Sequence, residues 1–141
     1  MGYINVNVKL ANSGDVELAQ RGLMPVTDVR QCDVPVVVDT GAINLCLTEE
    51  VAGRLGLRVL RMQEARLAND SMLTVKIVGP VEVEYGDRST TVRAMVLPGA
   101  TENLLGVIPM EDMDLVAVPS EQRLVPNDPK HTLRKVLSPH H

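Results

Sequence analysis

The segment from Val36 to Ala42 contains the residues best suited to chemistry. Three consecutive valines favour a buried, extended strand, and that strand ends at Asp39, which is followed by Thr40 and Gly41. A carboxylate at the end of an apolar strand is costly to bury without a partner. Such a group can act as a general acid or base when a second carboxylate faces it, because two close carboxylates share one proton.

The tripeptide Asp-Thr-Gly also suits an ordinary turn, since aspartate and glycine both favour turns. At average residue usage, it is expected by chance in a chain this long on the order of a few times in a hundred. Alone it is therefore a moderate signal for catalysis, and the elements around it have to be considered.

The elements that flank this loop are predicted to be mostly strands and turns. Apolar and polar residues alternate over residues 4–10, which predicts a first strand. Asn12-Ser13-Gly14-Asp15 predicts a turn, after which residues 16–19 return as the second arm of a hairpin. Thr48 fits the N-cap of a short helix over residues 49–55, and Gly56 fits its C′ position.

The second half of the chain reads as further hairpins. Residues 64–68 and 72–78 flank the polar tip Asn69-Asp70-Ser71, and residues 81–85 and 90–97 flank Gly86-Asp87, a strong turn signal. Pro109 can start one helical turn. Two short apolar segments, 115–118 and 122–125, end the region that we expect to be ordered.

Three of these segments together resemble the retropepsin-like family, the retroviral-type (clan AA) single-domain aspartic proteases. Residues 37–42 match the active-site loop of that family. Residues 43–52 match the strand and helix that follow the loop, and residues 102–107 match the hydrophobic-hydrophobic-Gly element that packs beside it. Their order and spacing also agree with the family, over about residues 30–126.

The resemblance implies an all-β fold: a small closed β-barrel of the retropepsin type with one or two short helices. It implies one protease domain over residues 1–126, with residues 127–141 as a flexible C-terminal tail. The implied activity is aspartic-type endopeptidase, a hydrolase that cuts peptide bonds.

Site roles follow from the resemblance, residue by residue. Asp39 would be one half of a catalytic pair, and Thr40 would direct its hydroxyl toward the loop of another subunit. Gly41 would allow a close backbone approach. Ala42 is the retroviral-like residue at its position and would contact substrate.

The hairpin tip Ala68-Asn69-Asp70-Ser71 lies where the family has its flap, so these four residues are also expected to contact substrate. A flap opens for a peptide and closes over it, which a polar and loosely packed tip permits. From the residues alone, an ordinary surface hairpin is equally consistent with this composition.

The chain has one Asp-Thr-Gly and no Asp-Ser-Gly, while the proposed chemistry needs two carboxylates. With 141 residues there is room for one modest domain. The second aspartate must therefore come from a second copy, which implies a homodimer with a two-fold axis between the two loops. Family members usually carry a charged residue where this chain has Val107, so we expect a more apolar or differently arranged interface.

Composition limits the remaining possibilities. The formal net charge is -4 without a basic block, which argues against nucleic acid and anionic membranes as partners. No apolar run reaches membrane-spanning length and no signal-peptide pattern is present, so we expect a cytoplasmic protein. Cys32 and Cys46 are expected to be apolar core residues, and we expect neither a metal site nor a cofactor. The excess of arginine over lysine suggests a bacterial source.

Three functions remain open at this point. The first is an active homodimeric endopeptidase with a peptide or protein substrate. The second is a non-catalytic module of the same fold that dimerises or binds peptides. The third is an unrelated small β-barrel in which Asp-Thr-Gly is a turn. The sequence does not predict substrate identity, cleavage preference or pH optimum.

Overall fold

The structure is a computed structural model that describes residues 3–66 and 69–127. Within these ranges the chain forms nine strands and three α-helices. The strands are β1 (Ile4–Asn12), β2 (Gln31–Val38), β3 (Leu45–Leu47), β4 (Val59–Arg66), β5 (Met72–Tyr85), β6 (Arg88–Val96), β7 (Leu104–Leu105), β8 (Leu115–Val118) and β9 (Arg123–Pro126). The helices are α1 (Ser13–Gln20), α2 (Glu49–Arg54) and α3 (Val107–Asp112), and single 3-10 turns occur at Val26–Asp28 and Pro119–Glu121.

Seven strands form one sheet, in the order β1-β2-β7-β3-β6-β5-β4. The first half of β5 pairs with β4 and its second half pairs with β1, which closes six of the strands into a ring. β8 and β9 form a separate antiparallel pair. The prediction of an all-β fold is confirmed.

The core inside this ring is aliphatic and contains side chains from nearly every element. Along β2, side chains alternate between the two faces of the sheet. Val34, Val36 and Val38 point into the core and are buried. Val37 and the next residue of the same parity, Asp39, therefore belong to the outer face of the ring.

One element was predicted wrongly: residues 13–20 form α1 and not a turn and the second arm of a hairpin. Asn12, the last residue of β1, caps this helix, because its Oδ1 accepts a hydrogen bond of 3.0 Å from the backbone N–H of Asp15. A four-residue apolar and polar pattern is too short to distinguish a strand from a helical turn. α1 is additional to the one or two short helices expected.

Asn12 also connects α1 to a distant part of the chain. Its Nδ2 donates to the carbonyl oxygens of Leu55 and Gly56, at 2.9 and 3.3 Å. These carbonyls lie at the C-terminal end of α2, where backbone oxygens lack partners within the helix. The buried side-chain amide of Asn12 therefore caps the N-terminus of α1 and binds carbonyl oxygens at the C-terminus of α2.

A partly buried ion pair holds α1 against the start of β2. The Asp15 carboxylate, 5% exposed, accepts hydrogen bonds from Nε of Arg30 at 2.8 Å, from its Nη2 at 3.0 Å and from its backbone N–H at 3.0 Å. Hydrogen bonds from this guanidinium stabilise the ionised form. They hold the pKa of Asp15 below its usual value, against the opposing effect of burial.

The N-cap and C′ signals of α2 are confirmed, whereas α3 begins at Val107, two residues before the Pro109 that was predicted to start this turn. Thr48 Oγ1 accepts from the backbone N–H of Val51 at 3.2 Å, as expected of an N-cap. Gly56 has a φ of +60°, and the N–H of Leu57 donates to the Ala52 carbonyl at 3.1 Å, which closes α2. None of the helices within the described ranges combines the length and the apolar character needed to cross a membrane.

The predicted division at residue 126 stays a prediction, because residues 128–141 lie outside the described ranges. Asn127 is described, and its backbone N–H donates to the Asp114 carbonyl at 2.8 Å.

Replacing Asp15 with Asn should lower the free energy of unfolding at pH 7, and this deficit should shrink as the pH falls below about 4. The folded pKa of Asp15 lies below its unfolded value of about 3.8. The carboxylate therefore stabilises the fold fully above that value, and its contribution is lost as the pH falls through the folded pKa. Urea unfolding of both proteins between pH 7 and pH 3 measures the difference.

Glu17→Gln is the matched control. Glu17 pairs with Arg21 within α1, but both side chains are exposed, and such a pair contributes at most about 0.5 kcal/mol. A deficit in Asp15→Asn that persists unchanged at pH 3 would contradict an electrostatic role for Asp15.

Candidate active site

Asp39 follows directly on the last residue of β2, where the strand lies beside β7. The backbone N–H of Asp39 donates to the Leu105 carbonyl at 3.0 Å, and that of Val37 donates to the Asn103 carbonyl at 2.8 Å. These bonds extend the parallel pairing of β2 with β7. The half-buried Asp39 therefore has a fixed backbone at the edge of the outer face.

The Asp39 side chain shapes its own loop. Its Oδ1 accepts from the backbone N–H of Gly41 at 2.8 Å, and its carbonyl accepts from the N–H of Ala42 at 3.1 Å. No other hydrogen bond or ion pair reaches this carboxylate from the described residues. Thr40 and Gly41 are exposed, and Ala42 is half-buried. The loop thus presents a carboxylate and a threonine side by side at the surface.

The backbone at Gly106 crosses this loop at very short range. An ideal Cβ built on Gly106 would lie 2.3 Å from the Asn44 carbonyl oxygen and 2.7 Å from that of Ala42. Beyond the crossing, the N–H of Val107 donates to Ala42 and that of Ile108 donates to Ile43, both at 2.9 Å. Only glycine fits here, because a side chain would separate the two backbones.

Asn103 connects the strand of Asp39 to the helix after the loop. Its Oδ1 accepts from the backbone N–H of Thr48 at 2.9 Å, and its Nδ2 donates to the Pro35 carbonyl at 3.5 Å. The residue is buried. Its backbone and side chain together hold β2, β7 and the start of α2 in one arrangement.

A row of side chains crosses the outer face of the ring, from the strand of Asp39 to the hairpin of β4 and β5. Residues paired directly across neighbouring strands point to the same face. Successive pairings define the row as Val37, Leu104, Cys46, Met95, Ile77 and Arg61. All but Arg61 are apolar, so this row is apolar along most of its length and polar at its far end.

Cys46 is the member of this row whose thiol is affected by the charge of the Asp39 carboxylate. The pKa of its thiol is raised, chiefly by burial and further by the negative charge of Asp39. Burial also raises the pKa of the half-buried Cys32 thiol, and both cysteines are free. Neither thiol is therefore activated as a nucleophile.

Two cavities lie at opposite ends of this region. One, of about 420 Å³, is lined by Thr40, Val107 and Leu115, among others. The other, of about 200 Å³, is lined in part by Asn44, Arg61 and Arg93. The sequence analysis assigned no role to these last three residues. Exposed arginines on strands are common, and an asparagine just before a strand is equally ordinary. Only the strand register brings them together.

Apolar side chains surround the exposed loop. Ile43 is 65% exposed and Ile108 is 47% exposed, and Val107 between Gly106 and Ile108 is half-buried. The two segments that carry these side chains are joined by the backbone hydrogen bond from Ile108 to Ile43. Exposed aliphatic side chains on adjoining segments form a surface that favours burial against a partner. This apolar rim consists of Ile43, Val107 and Ile108.

The predicted flap residues lie at the tip between β4 and β5. Asn69 Oδ1 accepts from the backbone N–H of Ser71 at 3.0 Å and from its hydroxyl at 2.5 Å. Asp70 has a φ of +67° and pairs with Arg66 at 3.3 Å. Ala68 lies outside the described residues. No hydrogen bond or ion pair among residues 3–66 and 69–127 joins this tip to the Asp39 loop.

Comparison with known proteins finds a family model and solved structures that are similar to this chain. The model of a family described as gag-polyprotein putative aspartyl protease matches residues 27–110. A retropepsin-like aspartic protease from Rickettsia conorii is 21% identical, with 78% of this chain and 69% of that chain covered and a TM-score of 0.45. The EIAV protease complexed with the inhibitor HBY-793 is 23% identical, with 57% and 76% covered and a TM-score of 0.44. No curated protein matches this chain.

Replacing Gly106 with Ala should destabilise the protein by about 1–3 kcal/mol, because the added methyl group would overlap the backbone of the loop. Gly53→Ala is the matched control, since a Cβ on Gly53 in α2 would meet no atom within 4 Å. That change should be neutral or stabilising by up to about 1 kcal/mol. Thermal unfolding measures both variants, and equal stability of the two would show that the crossing is not tight.

Proposed function

This chain belongs to the family of gag-polyprotein putative aspartyl proteases, and from that premise we propose that it is an aspartic endopeptidase that acts as a homodimer. The observation that carries the proposal is the half-buried Asp39 carboxylate at the end of an apolar strand, with Thr40 exposed beside it. The sequence has one Asp-Thr-Gly, so a second copy of Asp39 must supply the second carboxylate.

The proposed reaction needs one proton shared by the two Asp39 side chains. The ionised carboxylate removes a proton from a water molecule as the water oxygen attacks the carbonyl carbon of the peptide. The protonated carboxyl gives its proton to the carbonyl oxygen, which forms a tetrahedral diol. The first carboxyl then gives the proton that it took from water to the amide nitrogen as the C–N bond breaks. One hydroxyl of the diol returns its proton to the second carboxylate, so a new carboxyl group remains and the pair again shares one proton.

The rigidity of the loop supports this role. The hydrogen bond from Gly41 N–H holds one carboxylate oxygen of Asp39, and the bond to the Leu105 carbonyl fixes the backbone. Catalysis depends on groups that are held in position before the substrate arrives. The same short bond to Gly41 would also form in a turn without catalytic function. It therefore leaves the non-catalytic dimerisation or peptide-binding module as the second candidate.

The surface around the loop supports a dimer. Thr40 is exposed with its hydroxyl unbonded to other described residues, so it is available to the loop of a partner. The apolar rim lies beside it, and burying apolar surface stabilises association by about 25 cal/mol per Å². We propose that the two-fold axis passes between the two Asp39 residues and that the rim contributes to the contact.

The substrate proposed is an extended peptide that lies along the outer face beneath the β4–β5 hairpin. Backbone hydrogen bonds to a strand-like peptide would supply affinity, and pockets on the outer face would supply selectivity. Ala42 would line the site near the cleaved bond, and Asn69, Asp70 and Ser71 would close over the peptide. A cytoplasmic location remains a prediction from the sequence.

Asp39→Asn should abolish peptide cleavage, with a loss on the order of a thousandfold or more, because Asn keeps the shape but cannot carry the proton. The assay is digestion of a mixed peptide library from pH 3 to pH 8. Activity of the wild type should fall on both sides of an optimum, since a coupled pair titrates in two steps, and a statine-type inhibitor should block it.

Asp87→Asn is the control, because Asp87 lies in the β5–β6 turn with its side chain 95% exposed, and its activity should equal that of the wild type. Cleavage that survives Asp39→Asn would contradict the catalytic role. A folded wild-type dimer that cuts no peptide at any pH would favour the binding-module alternative.

Thr40→Ala should weaken dimerisation, because each subunit would lose one hydroxyl hydrogen bond to its partner. Two such bonds at about 1 kcal/mol each correspond to a dissociation constant raised by about tenfold to a hundredfold. Sedimentation velocity over a concentration series measures this. Thr40→Ser keeps the hydroxyl and should dimerise nearly as well as the wild type. A wild type that is monomeric at every concentration would overturn the dimer.

A further inference from the structure

The smaller of the two cavities near the site has the character of a carboxylate receptor. Its volume is about 200 Å³. Its lining includes the polar residues Asn44, Arg61 and Arg93 and the apolar residues Ile77 and Met95. We propose that this basic cavity selects peptides with an acidic side chain a few residues from the cleaved bond. The proposal rests on the proposed function, because it takes the outer face as the peptide-binding surface.

The two arginines of the cavity have no acidic partners among the described residues. Arg61 Nη2 donates to Gln63 Oε1 at 3.1 Å, and the side chain of Arg93 forms no hydrogen bond or ion pair within the described ranges. Five other arginines of the chain do form ion pairs with carboxylates there: Arg21, Arg30, Arg66, Arg88 and Arg123. No aspartate or glutamate lines the cavity. Its two charges are therefore available to a ligand.

This distinguishes the cavity from a larger one beside α1. That cavity, of about 520 Å³, is also rich in arginine, but Asp15 and Glu17 line it as well. These carboxylates already bind Arg30 and Arg21. An anionic ligand would have to displace them, so the larger cavity is a weaker candidate.

The strand register places the basic cavity in line with Asp39. Leu45 lies opposite Ala94 in the parallel pairing of β3 with β6, so the preceding residues Asn44 and Arg93 are neighbours on the outer face. Asp39 extends β2, which is three strands away in the order β2-β7-β3-β6. At about 4.8 Å per strand, the two sites are about 14 Å apart.

That separation fixes where the acidic residue should lie in the peptide. An extended chain advances about 3.3 Å per residue, so about 14 Å corresponds to about four residues. An arginine side chain is itself several ångströms long, so its guanidinium can meet a carboxylate up to about two residues nearer to the cleaved bond. We therefore expect the acidic residue two to four positions from the cleaved bond.

The chemistry of the cavity fits a glutamate or aspartate better than the corresponding amide. A guanidinium donates two parallel hydrogen bonds to a carboxylate, and both partners are charged. The Asn44 amide can donate a further hydrogen bond, and Ile77 and Met95 can contact the methylene groups. Because the cavity is open to water, which weakens charge pairs, we expect a preference of about threefold to tenfold over the amide.

Peptide retention tests this independently of cleavage. The Asp39→Asn protein, which should leave peptides uncut, is incubated with a randomised library of decapeptides, and the retained peptides are sequenced. Glutamate and aspartate should be enriched by about threefold to tenfold over glutamine and asparagine at one or two positions, and 0.5 M salt should reduce the enrichment.

Three variants built on the Asp39→Asn protein identify the residues responsible. Arg93→Gln and Arg61→Gln should each lower the acidic enrichment, and the double variant should remove it. Arg58→Gln is the control, because Arg58 is also exposed but does not line this cavity. Circular dichroism verifies that all variants are folded.

The outcomes separate this proposal from the endopeptidase proposal. A wild type that cuts no peptide, together with acidic enrichment that depends on Arg61 and Arg93, would overturn the endopeptidase proposal and support the basic cavity. Equal retention of acidic and amide peptides, no retention of any peptide, or enrichment that survives the double variant would overturn the basic cavity. Where cleavage occurs, a matched Glu and Gln peptide pair should differ mainly in KM.

Discussion

The arrangement of the candidate site depends on one steric constraint, the contact between the backbones at Gly106 and at the loop of Asp39. Because no side chain fits at Gly106, the chain after β7 can approach near enough for Val107 to donate to the Ala42 carbonyl. β7 is only two residues long, yet it pairs with both β2 and β3. The loop conformation is thus imposed by its neighbours on both sides. Asp39 is held at a defined place although none of the described residues donates a hydrogen bond to its second carboxylate oxygen.

Two buried asparagines join this crossing to the rest of the fold. Asn103 links β2 to the start of α2, and Asn12 links the start of α1 to the end of α2. An amide both donates and accepts, so it can satisfy an N–H of one element and a carbonyl of another. No buried side-chain nitrogen or oxygen within the described ranges lacks a partner. An aliphatic residue at either position would leave such groups unpaired, which costs more than the side chain's own hydrogen bonds contribute.

Features of this fold that depend only on residues close together in the sequence could be predicted from it. Thr48 as an N-cap, Gly56 at a left-handed position and the Gly86-Asp87 turn each follow from local backbone chemistry, and the Asp39 loop follows from its motif. α1 could not be predicted, because its stability depends on Arg30, fifteen positions beyond Asp15, and on contacts of Asn12 with residues more than forty positions away. The basic cavity was missed for the same reason, since Asn44, Arg61 and Arg93 become neighbours only through strand pairing.

Two surfaces near Asp39 differ in kind, and this bears on how the proposed site would assemble. The first is the apolar rim of Ile43, Val107 and Ile108, where contact would be stabilised by hydrophobic burial. The second is the basic cavity, where binding would depend on charge. Salt screens charges but does not weaken hydrophobic contact. A dimer held by the apolar rim would therefore persist at ionic strengths that reduce selection of acidic peptides, so assembly and substrate choice would respond separately to the medium.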